Sequence, residues 1–304
     1  MKAMMLGFSL VVASLVPSSA SAASTKPADG FVEIKADAAF TVRADRAYLL
    51  FRTNSKESRV FLGISPVFLR IPTSEEMEIY EAAKRSAFVR AEPALKRSRE
   101  ELIAQKAQAE RTGRKFTKSI PPIPTLDNFD FVYDEIQNVH TVTLARALEK
   151  PDDGRVMLIE AVPGDYVLYG WGTGDVLYTC LCLGTVSFPA PAGKITDLGT
   201  LLVAAAAEPS SIPELKPITG LGTSVNGHAV LWASAIRPAS GSTALPSVLA
   251  GKPVVPADYG ATGKFVSPFA FGINRLAPIA GVLGYDGGTV LDLVSHTAAE
   301  DHYQ

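Results

Sequence analysis

Cysteine and histidine are both scarce in this chain. Two cysteines in 304 residues cannot form a disulfide scaffold. Four histidines leave little material for metal centres or general bases. The Gly-x-Ser-x-Gly elbow, the His-Glu-x-x-His helix and the Gly-Lys-Ser/Thr phosphate loop do not occur, so the enzyme classes that depend on them are excluded. Gly220-Leu-Gly222 lacks the third glycine and the strand-then-helix setting of a dinucleotide site. Beyond residue 22 the longest apolar run, Leu198 to Ala207, is about half of the roughly 20 residues needed to cross a bilayer. No sign of charge dominates: 29 basic side chains face 31 acidic ones, a net charge of −2. Such a balance supplies no global field for nucleic acid.

The chain does begin with a recognisable address. Lys2 precedes an apolar stretch from Met4 to Val16, and Ala20-Ser21-Ala22 offers small residues for cleavage. This layout predicts a secretory signal peptide over residues 1–22, removed after Ala22 or Ala23. The mature protein is expected to be exported, to a periplasmic or extracellular location. The leader contains no cysteine, so no lipid anchor is expected, and no transmembrane anchor should remain after cleavage. Losing Lys2 leaves 28 basic against 31 acidic groups, a net −3.

Two-residue alternation predicts strands near 39–43, 46–52 and 60–69, the last marked by Pro66 as an edge or bulge. The period then changes. Thr73 and Glu76 fit a capping box, and acidic residues precede Lys84, Arg85 and Arg90, the order the helix dipole favours. Met77, Tyr80, Ala83, Ala87 and Phe88 share one side at helical spacing. Pro93 is read as the start of a second helix ending near Gly113, with a thin apolar face of Leu95, Leu102, Ile103 and Ala109. The expectation is a charged helical hairpin inserted at 74–118, with the proline-rich stretch 119–124 leading back in extended form. Further strands are predicted at 129–134, 138–148, 155–161, 165–171, 175–188 and 194–203, separated by turn residues. Asn226-Gly227 signals a hairpin before a strand at 228–236. Residues 238–304 are rich in Pro, Gly, Ala and Ser. They read as an extended C-terminal region with short strands at 280–284 and 289–294 and a frayed end from Thr297. The fold expected is mainly β: an antiparallel β-sandwich over 31–237 carrying the helical insertion.

Val162-Pro-Gly-Asp-Tyr-Val-Leu168, Gly184-Thr-Val-Ser-Phe188, Ala192-Gly193 and Asp197-Leu-Gly199 follow a familiar rhythm of turn and strand. Over about residues 138–205 the chain resembles the prealbumin-like (transthyretin-like) sandwich domains of exported bacterial proteins. The resemblance implies a fold and an address. It brings no catalytic residues with it.

Cys180 and Cys182 stand two apart in a strand-like segment and would face the same side. At that spacing their Cα atoms lie roughly 6.5–7 Å apart, at the limit for a relaxed disulfide. A thiol redox or metal pair is one reading. Two small core side chains is the plainer and preferred one. His140 follows Asp130, Asp134 and Glu135, which would make an acid–base or metal site only if the fold gathered them. The second helical segment carries Lys96, Arg97, Arg99, Lys106, Arg111, Arg114 and Lys115, with Glu100, Glu101 and Glu110 among them. Lys96, Arg97 and Arg99 are candidates for contact with an envelope protein, an anionic polymer or lipid head groups; a solvated helix face balanced by those glutamates is the plainer and preferred reading. No aromatic residues are interleaved there, as a nucleic-acid surface would require. Trp171 and Trp232 are assigned to core packing. The expected function is that of an exported, non-enzymatic envelope protein that binds or scaffolds, with no cofactor. The alternative is an envelope hydrolase or a thiol- or metal-dependent enzyme with an unrecognised site.

Overall fold

Ala47-Tyr-Leu-Leu-Phe51 has no polar residue at alternate positions, and all five residues are fully buried. A strand of that composition must be covered on both faces. The computed structural model describes residues 30–35, 40–54, 65–133, 138–144, 146–151, 154–172, 184–220, 224–225, 228–229, 232–263, 265–266 and 276–303. Cys180, Cys182 and the leader at 1–22 lie outside the described residues.

The first elements in chain order are β1 (Val32–Glu33), β2 (Ala47–Thr53), β3 (Ser65–Arg70), helix α1 (Ser74–Arg111), β4 (Val139–Thr141), β5 (Arg155–Ala161), β6 (Gly164–Gly172), β7 (Val186–Ala190) and β8 (Ile195–Ala205). Ten further strands follow: β9 (Ser224–Val225), β10 (His228–Ala229), β11 (Trp232–Arg237), β12 (Val254–Pro256), β13 (Gly260–Ala261), β14 (Phe265–Val266), β15 (Leu283–Asp286), β16 (Thr289–Asp292), β17 (Thr297–Ala298) and β18 (His302–Tyr303). The chain is mainly β, with several antiparallel sheets and one α-helix among the described residues.

The first sheet runs β1-β5-β2-β8-β11, and β12 also pairs with β8. The second runs β13-β7-β6-β3-β4. Alternate residues of both enter one core cluster: Leu49 and Phe51 of β2, Met157 and Ile159 of β5, Phe68 of β3, Tyr166 and Trp171 of β6, Phe188 of β7. The opposite side of the first sheet is covered too. Tyr48, Leu50, Leu158 and Ile195 pack with Leu148 and Leu249. Leu202, Ala233 and Ala235 pack with Ile212 and Leu215. That double cover is why β2 reads as a continuous apolar run and not as the expected alternation, and why Leu201 to Ala205 of β8 are all apolar. Burying a Leu or Phe side chain of this kind contributes about 1.5–3 kcal/mol.

The sheets are not purely antiparallel. β2 pairs with β8 in parallel, Tyr48 opposite Ile195, and β12 joins β8 in parallel as well. No tight turn connects β2 to β8, so nothing local imposes the antiparallel direction that a hairpin requires. Gly199 adopts φ +78°, and a Cβ there would sit 2.1 Å from the Arg237 carbonyl oxygen. Only glycine allows β11 to approach the bend in β8 so closely.

Several expectations are corrected. The inserted helical hairpin is one continuous helix, α1, of 38 residues with Pro93 inside it. Proline removes one helix hydrogen bond and crowds the carbonyl four residues back, at a cost of about 3 kcal/mol. Pro93 is exposed, and Val89 is 68% exposed, so water can serve the carbonyl that loses its partner. Residues 40–43 and 129–133 form no strand. The strand expected at 138–148 shrinks to Val139–Thr141, because Leu144 turns to φ 58°. The C-terminal end is not frayed throughout: β17 pairs with β16, and β18 pairs in parallel with β14. Tyr259, Leu276, Leu283 and Val290 of the C-terminal region belong to the main core cluster.

Candidate functional site

β3 and β4 are antiparallel neighbours, with Phe68 opposite His140. The chain between them could be a short turn. It is instead an arm: α1 leads outward and residues 112–133 run back along it. No residue of α1 is buried. At 1.5 Å per residue the helix extends about 57 Å.

The base of the arm is firmly tied. Thr73 caps α1, its Oγ1 accepting from the Glu76 amide at 3.2 Å while Glu76 Oε2 accepts from the Thr73 amide at 2.8 Å. The same carboxylate receives both terminal nitrogens of Arg70, at 3.0 and 2.6 Å. Arg70 ends β3 and its side chain is 9% exposed, against 28% for Glu76. The Arg70 hydrogen bonds hold the Glu76 carboxyl below its ordinary range, with partial burial opposing and the Thr73 amide assisting. One acidic side chain therefore caps the helix and fastens it to the sheet.

The returning segment is held by aromatic rings. Phe129, Phe131 and Tyr133 alternate with exposed Asp130 and Val132 and all face α1. Phe131 and Tyr133 lie 5.7 and 5.9 Å from Tyr80, and Phe129 lies 5.5 Å from Phe88. Further out, Arg99 Nε donates to the Pro121 carbonyl and Lys118 Nζ to Gln105 Oε1. Period-two aromatics that read as a strand thus pack against a helix, with side chains of α1 in place of a neighbouring strand.

Charge is polarised along the arm. Residues 74–92 carry five glutamates and three basic residues, a net −2; residues 93–118 carry eight basic residues and three glutamates, a net +5. The expected contact residues are partly occupied. Lys96 Nζ lies 2.8 Å from Glu92, and Arg99 is half-buried against Pro121; Arg97 is exposed. The less encumbered cations lie at the tip, Arg111-Thr-Gly-Arg-Lys-Phe-Thr-Lys118. Four positive charges there meet no acidic residue within the segment, and all four side chains belong to exposed residues. Lys118 was not among the residues singled out from sequence. Its signal was the absence of any acid between 111 and 118.

Two clefts on the β body are lined by described residues. One of about 560 Å³ includes Arg52, Arg155, Arg237, Thr200, Leu202 and Ile212 in its lining. Sequence reasoning missed it because isolated arginines at strand ends carry no spacing signal. Each of its guanidinium groups is engaged: Arg52 with the buried Asp197 at 2.7 Å, Arg237 with Glu214 at 2.7 Å, Arg155 with the Leu144 carbonyl at 2.8 Å. The Arg237 hydrogen bond holds the Glu214 carboxyl below its ordinary range. The other cleft, about 310 Å³, gathers Asp165, Asp258 and Asp292. Asp292 already accepts from the Val294 and Ser295 amides. No group of three His, Cys, Asp or Glu residues that could hold a metal occurs among the described residues.

His140 is not gathered with carboxylates into a described cluster. It is 8% exposed and stacks on Phe31 at 4.5 Å, as a ring of the core edge. Asp130 is exposed on the arm, and Asp134 and Glu135 lie outside the described residues. Trp171 is buried and donates from Nε1 to Ser234 Oγ at 2.9 Å; Trp232 packs against the main core. No protein-family model matches the chain, and no curated protein or solved structure is significantly similar to it.

Proposed function

We propose that this is an exported, non-enzymatic envelope protein that holds a basic-tipped arm toward an anionic partner. Its body is proposed to be a β-sandwich of prealbumin-like type. The observation that carries the reading is α1: a 38-residue helix with no buried residue, leading to the tip Arg111–Lys118. A helix with no fully buried residue contributes little to the core, and in proteins most helical stability comes from tertiary packing. Ordering such an element costs conformational entropy, which a bidentate ion pair, a capping box and a row of aromatic contacts offset, and an arm held out in this way points to use of its outer end. Opposite charge attracts at range and is screened by salt, so the tip would speed encounter with an acidic surface. Export rests on the leader sequence, and the sandwich on the shared core of the two main sheets.

The test compares the full chain with a variant in which Asn-Gly joins Ile71 directly to Asn138. β3 and β4 remain neighbours in both. The full chain should be retained on immobilised dextran sulfate and released by salt, and the armless variant should flow through while keeping its β-sheet circular dichroism. Equal retention of both would refute the arm's role. Mass spectrometry of the secreted product should find a new N-terminus after Ala22 or Ala23; an intact Met1 would refute export by this leader.

A further inference from the structure

Resting on that reading, we infer that the arm's partner is an anionic lipid surface, met end-on by the tip. A linear polyanion needs a narrow track of cations. At about 100° per residue, Lys96, Arg97, Arg99, Lys106 and Arg111 fan over about half the circumference of α1, with Glu100 and Glu110 among them. They make no track. The charges that concentrate do so at the end. Lys118 lies beside Gln105, so the outermost segment is a knob roughly one and a half helical turns deep. Arg111, Arg114, Lys115 and Lys118 crowd onto it without an acid after Glu110. A projecting knob of this shape touches a plane at one point, and a lipid surface is a plane of closely spaced phosphates.

The acidic base of the arm fits the same geometry. Residues 74–92 are net negative and would be repelled by an anionic plane, so the arm should stand on the surface and not lie along it. No helix is long and apolar enough to cross a membrane among the described residues, so the contact is peripheral. Each basic residue near an anionic surface strengthens binding about five-fold. Four together give on the order of several hundred-fold, an attachment that is reversible and sensitive to salt.

The test is co-sedimentation of the full chain with vesicles rich in phosphatidylglycerol and, separately, with phosphatidylcholine alone. The protein should follow only the anionic vesicles and leave them as salt rises from about 0.05 to about 0.5 M. R111Q/R114Q/K115Q/K118Q should weaken binding by about two orders of magnitude or more. K35Q/K150Q/K194Q/K216Q, which removes four exposed charges from the body, should bind nearly as the parent does. All eight side chains belong to exposed residues, and unchanged circular dichroism will show that both variants fold. Equal binding to neutral vesicles, or equal loss in the two variants, overturns the inference. Tip-dependent retention on dextran sulfate without vesicle binding also overturns it, while leaving the anionic-partner reading intact. Loss of both activities removes both.

Discussion

Replacing Glu76 by alanine should cost more than any other single change on the exposed surface of the arm. The carboxylate does three things: it accepts both terminal nitrogens of Arg70, accepts the Thr73 amide and completes the capping box. Removing one partner of a buried ion pair costs about 3–5 kcal/mol, whereas an exposed pair contributes about 0–1 kcal/mol. Arg70 lies at the buried end of that range and Glu76 is partly open, so about 2 kcal/mol is appropriate for the pair. Losing half of a capping box adds about 1 kcal/mol. The total is about 3 kcal/mol. Arg70→Met should cost less, about 1–2 kcal/mol, because it removes the more buried charge and leaves only the partly exposed Glu76 carboxylate, which water can solvate. The double variant should recover about 1–2 kcal/mol relative to the sum of the single effects. Urea unfolding followed by buried Trp171 and by far-ultraviolet circular dichroism measures all three. A loss below about 1 kcal/mol for Glu76→Ala, or strict additivity of the pair, would refute the anchoring argument.

Other consequences are simpler to check. Pro93→Ala should stabilise α1, by up to about 3 kcal/mol, and slow amide exchange from Val89 to Arg97; a junction between two helices would gain nothing from the change. Phe131→Ala removes ring contacts to Tyr80, Phe129 and Tyr133, so proteolytic cleavage within 114–133 should accelerate while the urea midpoint of the body stays nearly constant. Gly199→Ala forces a Cβ to within 2.1 Å of the Arg237 carbonyl and a left-handed backbone on alanine, and should lower stability by about 3 kcal/mol or more in the same urea assay. Glu76 and Glu214 are both held below their ordinary value of 4.5 in the folded chain, so near that pH the unfolded chain binds more protons. The stability they contribute is present above pH 4.5 and should fall as pH drops through their folded values. Glu76→Gln should flatten that decline, and an unaltered pH profile would count against the pair.

Much of the arm was legible in the sequence because its determinants are local. Thr73 and Glu76 lie three apart, and the acidic-to-basic order along 75–90 is set within a few turns, so the cap and dipole complementarity follow from spacing. Pro93 misled for the same reason. A local rule says that proline starts or ends a helix, and whether the freed carbonyl finds water depends on which side of the arm faces solvent. The aromatic alternation at 129–133 is identical for a strand and for a chain laid on a helix. Only the position of Tyr80 and Phe88 distinguishes them. The Arg70–Glu76 clasp could not be read, although its partners are six residues apart, because it requires β3 to end where α1 turns away.

By itself the sequence determined the mainly β character, the assignment of Trp171 and Trp232 to the core, the helix start at Ser74 and the basic character of the distal arm. These depend on periodicity, capping chemistry and charge, which act over a few residues. The tertiary structure decided that β2 and β8 run parallel, that one helix replaces two, and that Lys96 and Arg99 engage Glu92 and the Pro121 carbonyl while Arg111, Arg114 and Lys115 stand exposed at the tip. Those outcomes depend on contacts between segments far apart in the chain, or on which side chains already have a partner. No local pattern encodes either.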